Sequence, residues 1–286
     1  MTERGPGSIE VLRDPRAMSA WSEAARAGGE RVAFVPTMGY LHRGHLALVE
    51  EARRHGERVV LSIFVNPTQF GPKEDLSRYP RDLTGDLEKA ASAGAHAAFV
   101  PADEAMYPPG YQTYVQVRGL EQGLCGERRP GHFVGVATVV LKLLNIVRPQ
   151  VAVFGEKDYQ QLAVVRRMVA DLDLGVEIAS LPTVREPDGL ALSSRNVYLS
   201  PDERRRAPAL HRGLSTARDR RAAGETDAGA LLAAAREVIA PAVDSLDYLE
   251  LRDAETLAPI TVTDRPAVML VAAFLGQTRL IDNLRL

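Results

Sequence analysis

Short apolar runs alternate with longer segments of helical periodicity from the start of the chain to about residue 184. The runs are almost continuously apolar, as in parallel strands that are covered on both faces. They predict strands at 32–35, 58–65, 97–100, 151–154 and 176–179. The segments between them predict helices at 15–27, 46–52, 82–93, 132–147 and 159–172. This alternation predicts an α/β fold built on a doubly wound parallel Rossmann-like sheet.

Cap and turn residues indicate where several of these elements begin and end. Asp14 and Pro15 predict the start of the first helix as its N-cap and first helical position. Pro36 and Gly39 predict the end of the first strand. Residues 123–131 are polar and predict a loop.

Beyond Val184 the pattern changes to helices followed by closely spaced strands. Ser200, Pro201 and Glu203 combine an N-cap, a first-turn proline and a capping-box glutamate. Helices are predicted at 202–222 and 227–240, and strands at 248–251, 267–273 and 278–281. We therefore expect two closely packed domains, a Rossmann-like domain over 1–184 and a smaller α+β domain with an antiparallel sheet over 185–286.

Composition narrows the class of protein. The chain has 286 residues, of which 45% are hydrophobic, and no apolar run is long enough to span a bilayer. Residues Met1 to Gly5 lack the apolar core of a signal peptide, and the single cysteine, Cys125, suits a reducing compartment. With a formal net charge of −2, nothing global attracts nucleic acid or anionic lipid. We expect a cytoplasmic protein that binds neither a membrane nor nucleic acid.

The stretch Pro36 to His45 carries the most specific chemistry. It lies between a predicted strand and a predicted helix and contains His42-Arg43-Gly44-His45. Two histidines three residues apart share one face of the first helical turn. The free backbone N–H groups and the dipole of a helix N-terminus attract an anion there, and imidazoles add directional donors. The motif predicts a binding site for nucleotide phosphates.

A metal site is the alternative reading of two such histidines. It requires a third ligand, and the nearby sequence offers only His55, about one helix length away. The strand, the Pro-Thr-Met-Gly turn and the H-x-G-H spelling together favour phosphate binding.

Three further polar segments are predicted to reach the same edge of the sheet, where ligands bind in open α/β folds. They are 66–69, 155–161 and 192–195. Lys157 follows directly on a strand, and its ammonium suits a phosphate oxygen. Ser193, Ser194 and Arg195 supply two hydroxyls and a planar cation. Taken singly, each segment could be an ordinary surface turn, and their common edge favours a functional role.

No P-loop, dinucleotide fingerprint or nucleophile elbow occurs in the sequence. The H-x-G-H turn with a Lys/Ser loop resembles the nucleotidyltransferases and class I aminoacyl-tRNA synthetases. Four blocks, in order and spacing, resemble the pantothenate synthetase family over nearly the whole chain. They are Pro36-Thr37-Met38-Gly39 with the H-x-G-H motif, Phe64 to Phe70, Gly155 to Gln161 and Ser193 to Asn196.

The resemblance implies ATP-dependent condensation of (R)-pantoate with β-alanine, giving pantothenate, AMP and pyrophosphate through a pantoyl-adenylate. It also implies Mg²⁺, a homodimer, a first domain that binds nucleotide and pantoate, and a second that closes over the active site. His42, His45 and Lys157 are implied as catalytic, with His45 as proton donor. Gln69 and Gln161 are implied to bind pantoate, and Gln69 also β-alanine. The implied ATP-binding residues are Pro36, Thr37, Met38, Gly39, Tyr40, Leu41, His42, Arg43, Gly44, His45, Gly155, Glu156, Lys157, Asp158, Val184, Leu192, Ser193, Ser194 and Arg195.

The residue types at these positions suit this chemistry. Adenylation gives a carboxylate a leaving group, and the donors at the predicted phosphate site meet the charge that develops in the transition state. Gln69 and Gln161 can each donate to a carboxylate and accept from a hydroxyl. Phe64, Val136, Val139 and Val140 are expected to receive the geminal methyls of pantoate.

The chain departs from the family pattern at two places. Leu192 stands where the family usually has methionine. Leucine keeps the volume of the side chain but lacks the thioether. The family tends to have acidic residues at 84–86, and only Asp86 is acidic here. The protein ligands of magnesium therefore stay open.

Two rival functions remain from the sequence. One is another adenylyltransferase or a small synthetase that charges RNA, although a basic face and an RNA-reading domain are lacking. The other is a nucleotide-sensing module on the same fold, because fold alone does not fix function.

Overall fold

The computed structural model describes residues 3–72 and 74–286. The strands of its first sheet are β1 (Glu3–Arg4), β2 (Glu10–Leu12), β3 (Val32–Thr37), β4 (Arg58–Ile63), β5 (Ala97–Phe99), β6 (Val151–Gly155) and β7 (Glu177–Leu181). Their order in the sheet is β1-β2-β5-β4-β3-β6-β7. Neighbours from β2 to β7 run parallel, and β1 is antiparallel to β2. The predicted doubly wound parallel sheet is confirmed, with β1 and β2 as additions that the apolar pattern did not predict.

The helices that accompany this sheet are α1 (Pro15–Ala27), α2 (Arg43–Ala52), α3 (Leu83–Ala93), α4 (Asp103–Met106), α5 (Leu124–Arg128), α6 (His132–Val147) and α7 (Tyr159–Asp171). Helix α1 begins as predicted, because the Asp14 carboxylate accepts a hydrogen bond from the Ala17 N–H at 2.9 Å and Pro15 follows it. Helix α6 has the predicted bounds, and its apolar character matches its burial.

The central strands are buried on both faces. Val32, Ala33, Phe34 and Val35 of β3 have no solvent exposure, and neither do Val59, Val60 and Leu61 of β4. Alternate residues point to opposite faces of a strand, so both faces must be covered by other elements. This burial explains why the sequence shows continuous apolar runs rather than alternation.

The prediction that Pro36 ends the first strand is wrong, because β3 continues to Thr37. The Thr37 carbonyl accepts from the Phe64 N–H on the side of β4, so the nitrogen of Pro36 faces the opposite neighbour, β6. Pairing between β3 and β6 covers only Ala33 and Phe34. The missing N–H of Pro36 therefore removes no bond from the sheet.

The prediction of a loop over 123–131 is partly wrong, because this segment contains α5. Leu124 and Cys125 are buried, with 2% and 8% of their surface exposed. Tertiary packing stabilises this short helix, which the polar composition of the segment does not predict.

The remaining elements follow residue 200. They are the helices α8 (Pro201–Arg206), α9 (Ala209–Ala222) and α10 (Ala228–Ile239) and the strands β8 (Ser245–Asp253), β9 (Ala267–Leu275) and β10 (Thr278–Arg285). The strands form an antiparallel sheet in the order β10-β9-β8, as predicted. The capping box of Ser200 and Glu203 is present at the start of α8.

One predicted helix, 202–222, is divided into α8 and α9. Ala207 and Pro208 lie between them. A proline inside a helix lacks the N–H donor and clashes with the carbonyl four residues earlier, so the first helix ends before it.

The chain divides into two compact units. The first consists of Met1–Glu156 and Val164–Pro182, and the second of Lys157–Ala163 and Thr183–Leu286. The short segment that begins with Lys157 thus belongs to the second unit, although only Glu156 separates it from strand β6.

Among the described residues, no helix is both long enough and apolar enough to cross a membrane.

Candidate active site

Helix α2 begins with a capping box made of two histidines. His42 is the N-cap, and its Nδ1 accepts a hydrogen bond from the Gly44 N–H at 3.1 Å. The His45 Nδ1 accepts from the His42 N–H at 3.2 Å. The ring centroids lie 4.0 Å apart with a tilt of 32°. The two imidazoles therefore occupy the places that serine and glutamate take in an ordinary capping box.

These bonds fix the tautomer of both rings. A neutral imidazole has one nitrogen that accepts and one that carries a proton. Because both Nδ1 atoms accept from backbone N–H groups, both Nε2 atoms carry the proton. The N-terminus of α2 thus has two N–H donors on adjacent rings, in addition to its own backbone N–H groups and dipole.

The turn before α2 requires an unusual backbone. Gly39 has φ 84° and Tyr40 has φ 51°, in the left-handed region. A side chain on Gly39 would place its Cβ 2.9 Å from an Asp86 oxygen. The Thr37 hydroxyl donates to the Ser62 carbonyl at 2.6 Å and accepts from the Gly39 N–H at 3.2 Å. Glycine is needed at position 39 for both its conformation and its lack of volume.

Asp86, in the first turn of α3, holds this turn in place. It is 1% exposed, and its two oxygens accept from the Tyr40 and Leu41 N–H groups at 2.7 and 2.6 Å. Burial raises the pKa of the Asp86 carboxyl, and the two backbone bonds oppose that shift. The sequence singled out Asp86 only for its place in the family pattern, because nothing in its local sequence signals a partner 46 positions away.

Gln69 is fixed by the short turn that follows β4. Asn66, only 1% exposed, donates to the Gln69 Oε1 at 3.1 Å and to the Gly135 carbonyl at 3.1 Å. Its own Oδ1 accepts from the hydroxyls of Thr68 and Tyr107 at 2.9 and 2.8 Å. Because the Asn66 oxygen faces donors, the Asn66 nitrogen must face Gln69. The end of the Gln69 amide that faces this nitrogen is therefore its oxygen.

The Gln69 Nε2 in turn lies 3.0 Å from the Met38 sulfur. Burial raises the pKa of Tyr107 to about 12, so the hydroxyl that fixes Asn66 keeps its proton. Asn66 lies in the polar segment 66–69 that the sequence places at this edge of the sheet, but it was given no individual role, and Tyr107 was not among the predicted site residues.

A second set of bonds holds the backbone of Gln69. The His132 Nδ1 donates to the Gln69 carbonyl at 2.9 Å, and the His132 Nε2 lies 3.0 Å from an Arg129 nitrogen. Arg129 also forms a two-pronged ion pair with Glu74. Because Arg129 can only donate, His132 accepts at Nε2 and donates at Nδ1.

The apolar residues expected near the substrate acid are all buried. Phe64, Val136, Val139 and Val140 have 2–5% of their surface exposed. A Cβ on Gly135 would lie 2.4 Å from the Thr68 carbonyl oxygen, so α6 approaches the Gln69 turn as closely as its backbone allows. In the first unit, the structure brings Gln69 into contact with Met38, which lies in the turn between β3 and the two histidines.

Strand β3 lies at the point of the sheet where the order of strands reverses. Strands β4 and β5 follow on one side of it, and β6 and β7 on the other. The H-x-G-H turn leaves β3 and the Gly155 turn leaves β6. Ligands in doubly wound sheets bind outside the carboxyl ends of strands at such a reversal.

In the second unit, Lys157 lies in a single helical turn, Glu156–Asp158. Its side chain is 20% exposed, and its Nζ lies 3.8 Å from an Asp158 oxygen. The Asn283 side chain donates to the Lys157 carbonyl at 2.8 Å. The backbone of this lysine is thus held from strand β10.

The predicted residues of the loop after 183 also come together in the second unit. The Leu192 N–H donates to the Val184 carbonyl at 3.0 Å, and the Ser193 hydroxyl accepts from the Arg195 N–H at 3.2 Å. Ser194 is 7% exposed. Lys157 and Ser193 line the same small pocket, together with Leu190, Ala191, Asn196, Leu210, Leu280, Ile281 and Asp282. Gln161, on the first turns of α7, is half-buried.

Over residues 3–72 and 74–286, no three histidine, cysteine or acidic side chains cluster as a metal site would require. Asp86 already gives both carboxylate oxygens to backbone donors.

The family model and the most similar relatives that we compared agree with one another. The model of the pantoate-beta-alanine ligase family matches residues 10–285. The chain is 58% identical over 279 residues to the pantothenate synthetase of Myxococcus xanthus, covering 96% of both chains. It is 58% identical over 284 residues to that of Anaeromyxobacter dehalogenans, covering 97% of this chain and 98% of the relative.

Solved structures resemble the chain over nearly its whole length. A crystal structure of pantothenate synthetase from Thermus thermophilus has a TM-score of 0.90 at 51% identity, covering 96% of this chain and 98% of that one. A pantoate-beta-alanine ligase from Francisella tularensis, complexed with beta-gamma ATP and beta-alanine, has a TM-score of 0.81 at 31% identity. It covers 96% of this chain and 97% of that one.

Proposed function

This chain belongs to the pantoate–β-alanine ligase family, and we propose that its H-x-G-H turn, its Lys157 turn and its two glutamines divide that reaction between them. The enzyme condenses pantoate with β-alanine to pantothenate and converts ATP to AMP and pyrophosphate. This activity excludes the alternative function of a nucleotide-sensing module without catalysis.

The reaction needs activation because a carboxylate resists attack by an amine. A pantoate oxygen attacks the α-phosphorus of ATP, and the bond from that phosphorus to the bridging oxygen of pyrophosphate breaks. The β-alanine amine then attacks the acyl carbon, loses a proton and expels AMP. Negative charge grows on the phosphates during the first step, so donors that are already in place there accelerate it.

The double-histidine cap is the observation that carries the proposal. Both Nδ1 atoms are engaged by backbone N–H groups at 3.1 and 3.2 Å, which leaves Nε2–H as the donor of each ring. We assign these two donors, with the N-terminus of α2, to the ATP phosphates. The rest of the turn, from Pro36 to Gly44, is assigned to the nucleotide as well.

The same bonds argue that His45 stabilises charge rather than transferring its proton. A neutral ring that gave up its Nε2 proton would become an imidazolate. A ring with a second proton would turn Nδ1 from an acceptor into a donor, facing the His42 N–H. We therefore propose hydrogen bonding, and not acid catalysis, for His45.

Lys157 is assigned to a phosphate oxygen as a point charge on a flexible stem. Gly155, Glu156, Asp158, Val184, Leu192, Ser193, Ser194 and Arg195 are assigned to the nucleotide with it. The bond between Leu192 and Val184 and the pocket that Lys157 shares with Ser193 support this grouping.

Gln69 and Gln161 are assigned to pantoate, and Gln69 also to β-alanine. The Asn66 bond holds the Gln69 Oε1 toward Asn66, so the Nε2 is the end of the amide that is assigned to donate to the pantoate carboxylate. Buried Phe64, Val136, Val139 and Val140 supply an apolar wall for the geminal methyls. The β-alanine bound to the Francisella tularensis relative supports an amine site in this family.

Magnesium is proposed to arrive on ATP and not to occupy a protein cage. The described residues lack a cluster of acidic ligands, and both Asp86 oxygens accept from the backbone. Mg²⁺ commonly keeps its waters and binds substrate phosphates, which suits such a site.

We further propose a cytoplasmic homodimer. Cys125 is buried and forms no disulfide, in keeping with a reducing compartment. Tyr114 is 55% exposed in a stretch, 111–117, that forms neither helix nor strand. Exposed aromatic residues are enriched where chains associate. Sedimentation of the wild type and of Tyr114→Asp would measure whether this surface joins two copies.

Pyrophosphate–ATP exchange with a panel of hydroxy acids tests the proposed function. We expect pantoate to support exchange without β-alanine, and an analogue lacking its 2-hydroxyl to be poorer by on the order of 10⁴-fold. A site that pairs a hydroxyl leaves its own polar groups unpaired when the hydroxyl is missing. Equal exchange with both acids would show that Gln69 and Gln161 do not read the hydroxyl.

A further inference from the structure

Strand β10 contains two buried polar residues next to each other. Asp282 is 3% exposed and Asn283 is 6% exposed. Burying a polar side chain costs free energy unless the side chain is hydrogen-bonded, so the partners of these two residues indicate their structural role. The Asn283 Nδ2 donates to the Lys157 carbonyl oxygen at 2.8 Å, across 126 positions of sequence.

Asn283 is itself held by a network. The Asp282 Oδ1 accepts from the Asn283 N–H at 2.7 Å, and Arg185 donates to both Asp282 oxygens at 2.7 and 2.9 Å. Arg185 also donates to the Asn283 carbonyl at 3.2 Å. A two-pronged Arg–carboxylate pair fixes the orientation of both groups more strongly than a single bond does.

The same arginine anchors the hairpin that carries Val184 and Leu192. Arg185 donates to the Gly189 carbonyl at 3.1 Å, within the turn between those two residues. Asp282 also lines the pocket that contains Lys157 and Ser193. The polar pair of β10 thus contacts both segments of the second unit to which we assign the nucleotide.

We propose that Asn283 is a positioning residue for Lys157. Its side-chain bond sets where the lysine backbone lies, and so where a long, flexible side chain starts toward the phosphate. The inference rests on the proposed role of Lys157. A misplacement of about 1 Å in a reacting group can cost roughly a hundredfold in rate, even when the change lies away from the chemistry.

A double-mutant cycle tests this role. Asn283→Ala in the full chain is expected to slow single-turnover adenylate formation by roughly ten- to a hundredfold at saturating ATP and pantoate. In a Lys157→Ala background, the same change is expected to have little further effect, because Asn283 acts through that lysine. The KM for pantoate is expected to stay near that of the wild type.

Thr263→Val is the matched control. Thr263 is fully buried in the same unit, and its hydroxyl donates to the Thr226 carbonyl at 3.3 Å. This variant also loses one buried bond to a backbone carbonyl, so it is expected to lower the melting temperature without slowing adenylation. Asn283→Asp, which keeps the shape and loses the donor, should behave like Asn283→Ala.

The outcomes separate the inference from the assignment on which it rests. If Asn283→Ala slows adenylation equally with and without Lys157, or no more than Thr263→Val does, Asn283 is only structural and the inference fails. If Lys157→Ala itself adenylates at the wild-type rate, the proposed role of Lys157 fails, and the positioning role fails with it.

Discussion

Each histidine of the H-x-G-H turn uses its Nδ1 for the backbone, and in the proposed function its Nε2–H is assigned to the ATP phosphates. This division is not evident from the spacing of His42 and His45, which predicts only that both lie on one face of a helical turn. The bonds at Nδ1 make each ring both a cap and a donor. Replacement by alanine would remove both properties at once, so a sharper substitution is needed.

His42→Asn and His45→Gln separate the two properties. Asparagine is a favourable N-cap, and glutamine at the third helical position can complete a capping box. Both variants lose the Nε2–H donor. We expect melting temperatures near that of the wild type and single-turnover adenylation slower by roughly a hundred- to a thousandfold.

Binding of ATP, measured by calorimetry with a non-hydrolysable analogue, is expected to weaken much less than the rate falls. If either variant adenylates at the wild-type rate, its imidazole is only a helix cap. If the melting temperature falls along with the rate, loss of the helix start explains the defect instead.

Short polar side chains whose partners lie on other elements were the hardest residues of the candidate site to predict. Local patterns singled out the H-x-G-H turn and Lys157, and the resemblance to the family singled out the two glutamines. Asp86, Asn66 and Asn283 act on partners far away in sequence, and each would pass for an ordinary polar residue on its own element. Only the fold places them against the Tyr40 backbone, Gln69 and Lys157.

At the scale of elements, the link between α3 and the turn before α2 is central. Asp86→Asn keeps the size of the side chain and replaces one acceptor with a donor that faces a backbone N–H. A buried donor left unsatisfied costs about 1–3 kcal/mol. We expect a lower melting temperature and a higher KM for ATP, because the turn that carries Gly39 and Tyr40 loses an anchor.

Asp82→Asn is the control for that change. Asp82 is the exposed N-cap of the same helix, and its oxygen accepts from the Gly85 N–H at 3.1 Å. Asparagine caps a helix as well as aspartate does, so this variant loses the same charge at little cost. If the two variants had the same KM for ATP, the Asp86 bonds would not support the nucleotide site.

Most elements were predictable because their signals are local. Helix α1 has a cap and a proline at its start, and the buried strands are continuous apolar runs. The wrong predictions concern segments whose structure depends on contacts with other elements. Strand β3 continues through Pro36 because its pairing with β6 has already ended, and α5 forms because Leu124 and Cys125 are buried.

At the scale of the whole molecule, two half-buried histidines, His96 and His211, are expected to make stability depend on pH. The His96 Nδ1 accepts from the Val59 N–H at 3.0 Å, and burial, aided by Arg58 and Arg53, lowers the pKa of His96 below 6.5. Burial and Arg185 likewise lower the pKa of His211. In both cases the folded state favours the neutral ring.

The sign of the effect follows from proton uptake. Below about pH 6.5 the unfolded chain binds protons that the folded chain does not, so the free energy of unfolding falls as pH falls through that value. Denaturant unfolding between pH 7.5 and 5.5 is expected to show a smaller fall in His96→Asn than in the wild type. Equal falls in the two proteins would mean that His96 does not contribute.

In the whole enzyme, pantoate is activated as an adenylate before the amine attacks. Pantoate labelled with heavy oxygen in its carboxylate tests this directly, because adenylation transfers one of those oxygens to AMP. We predict label in AMP, and pyrophosphate released from enzyme, ATP and pantoate before β-alanine is added. Label in inorganic phosphate with formation of ADP, or no pyrophosphate until all three substrates are present, would contradict the stepwise adenylate route.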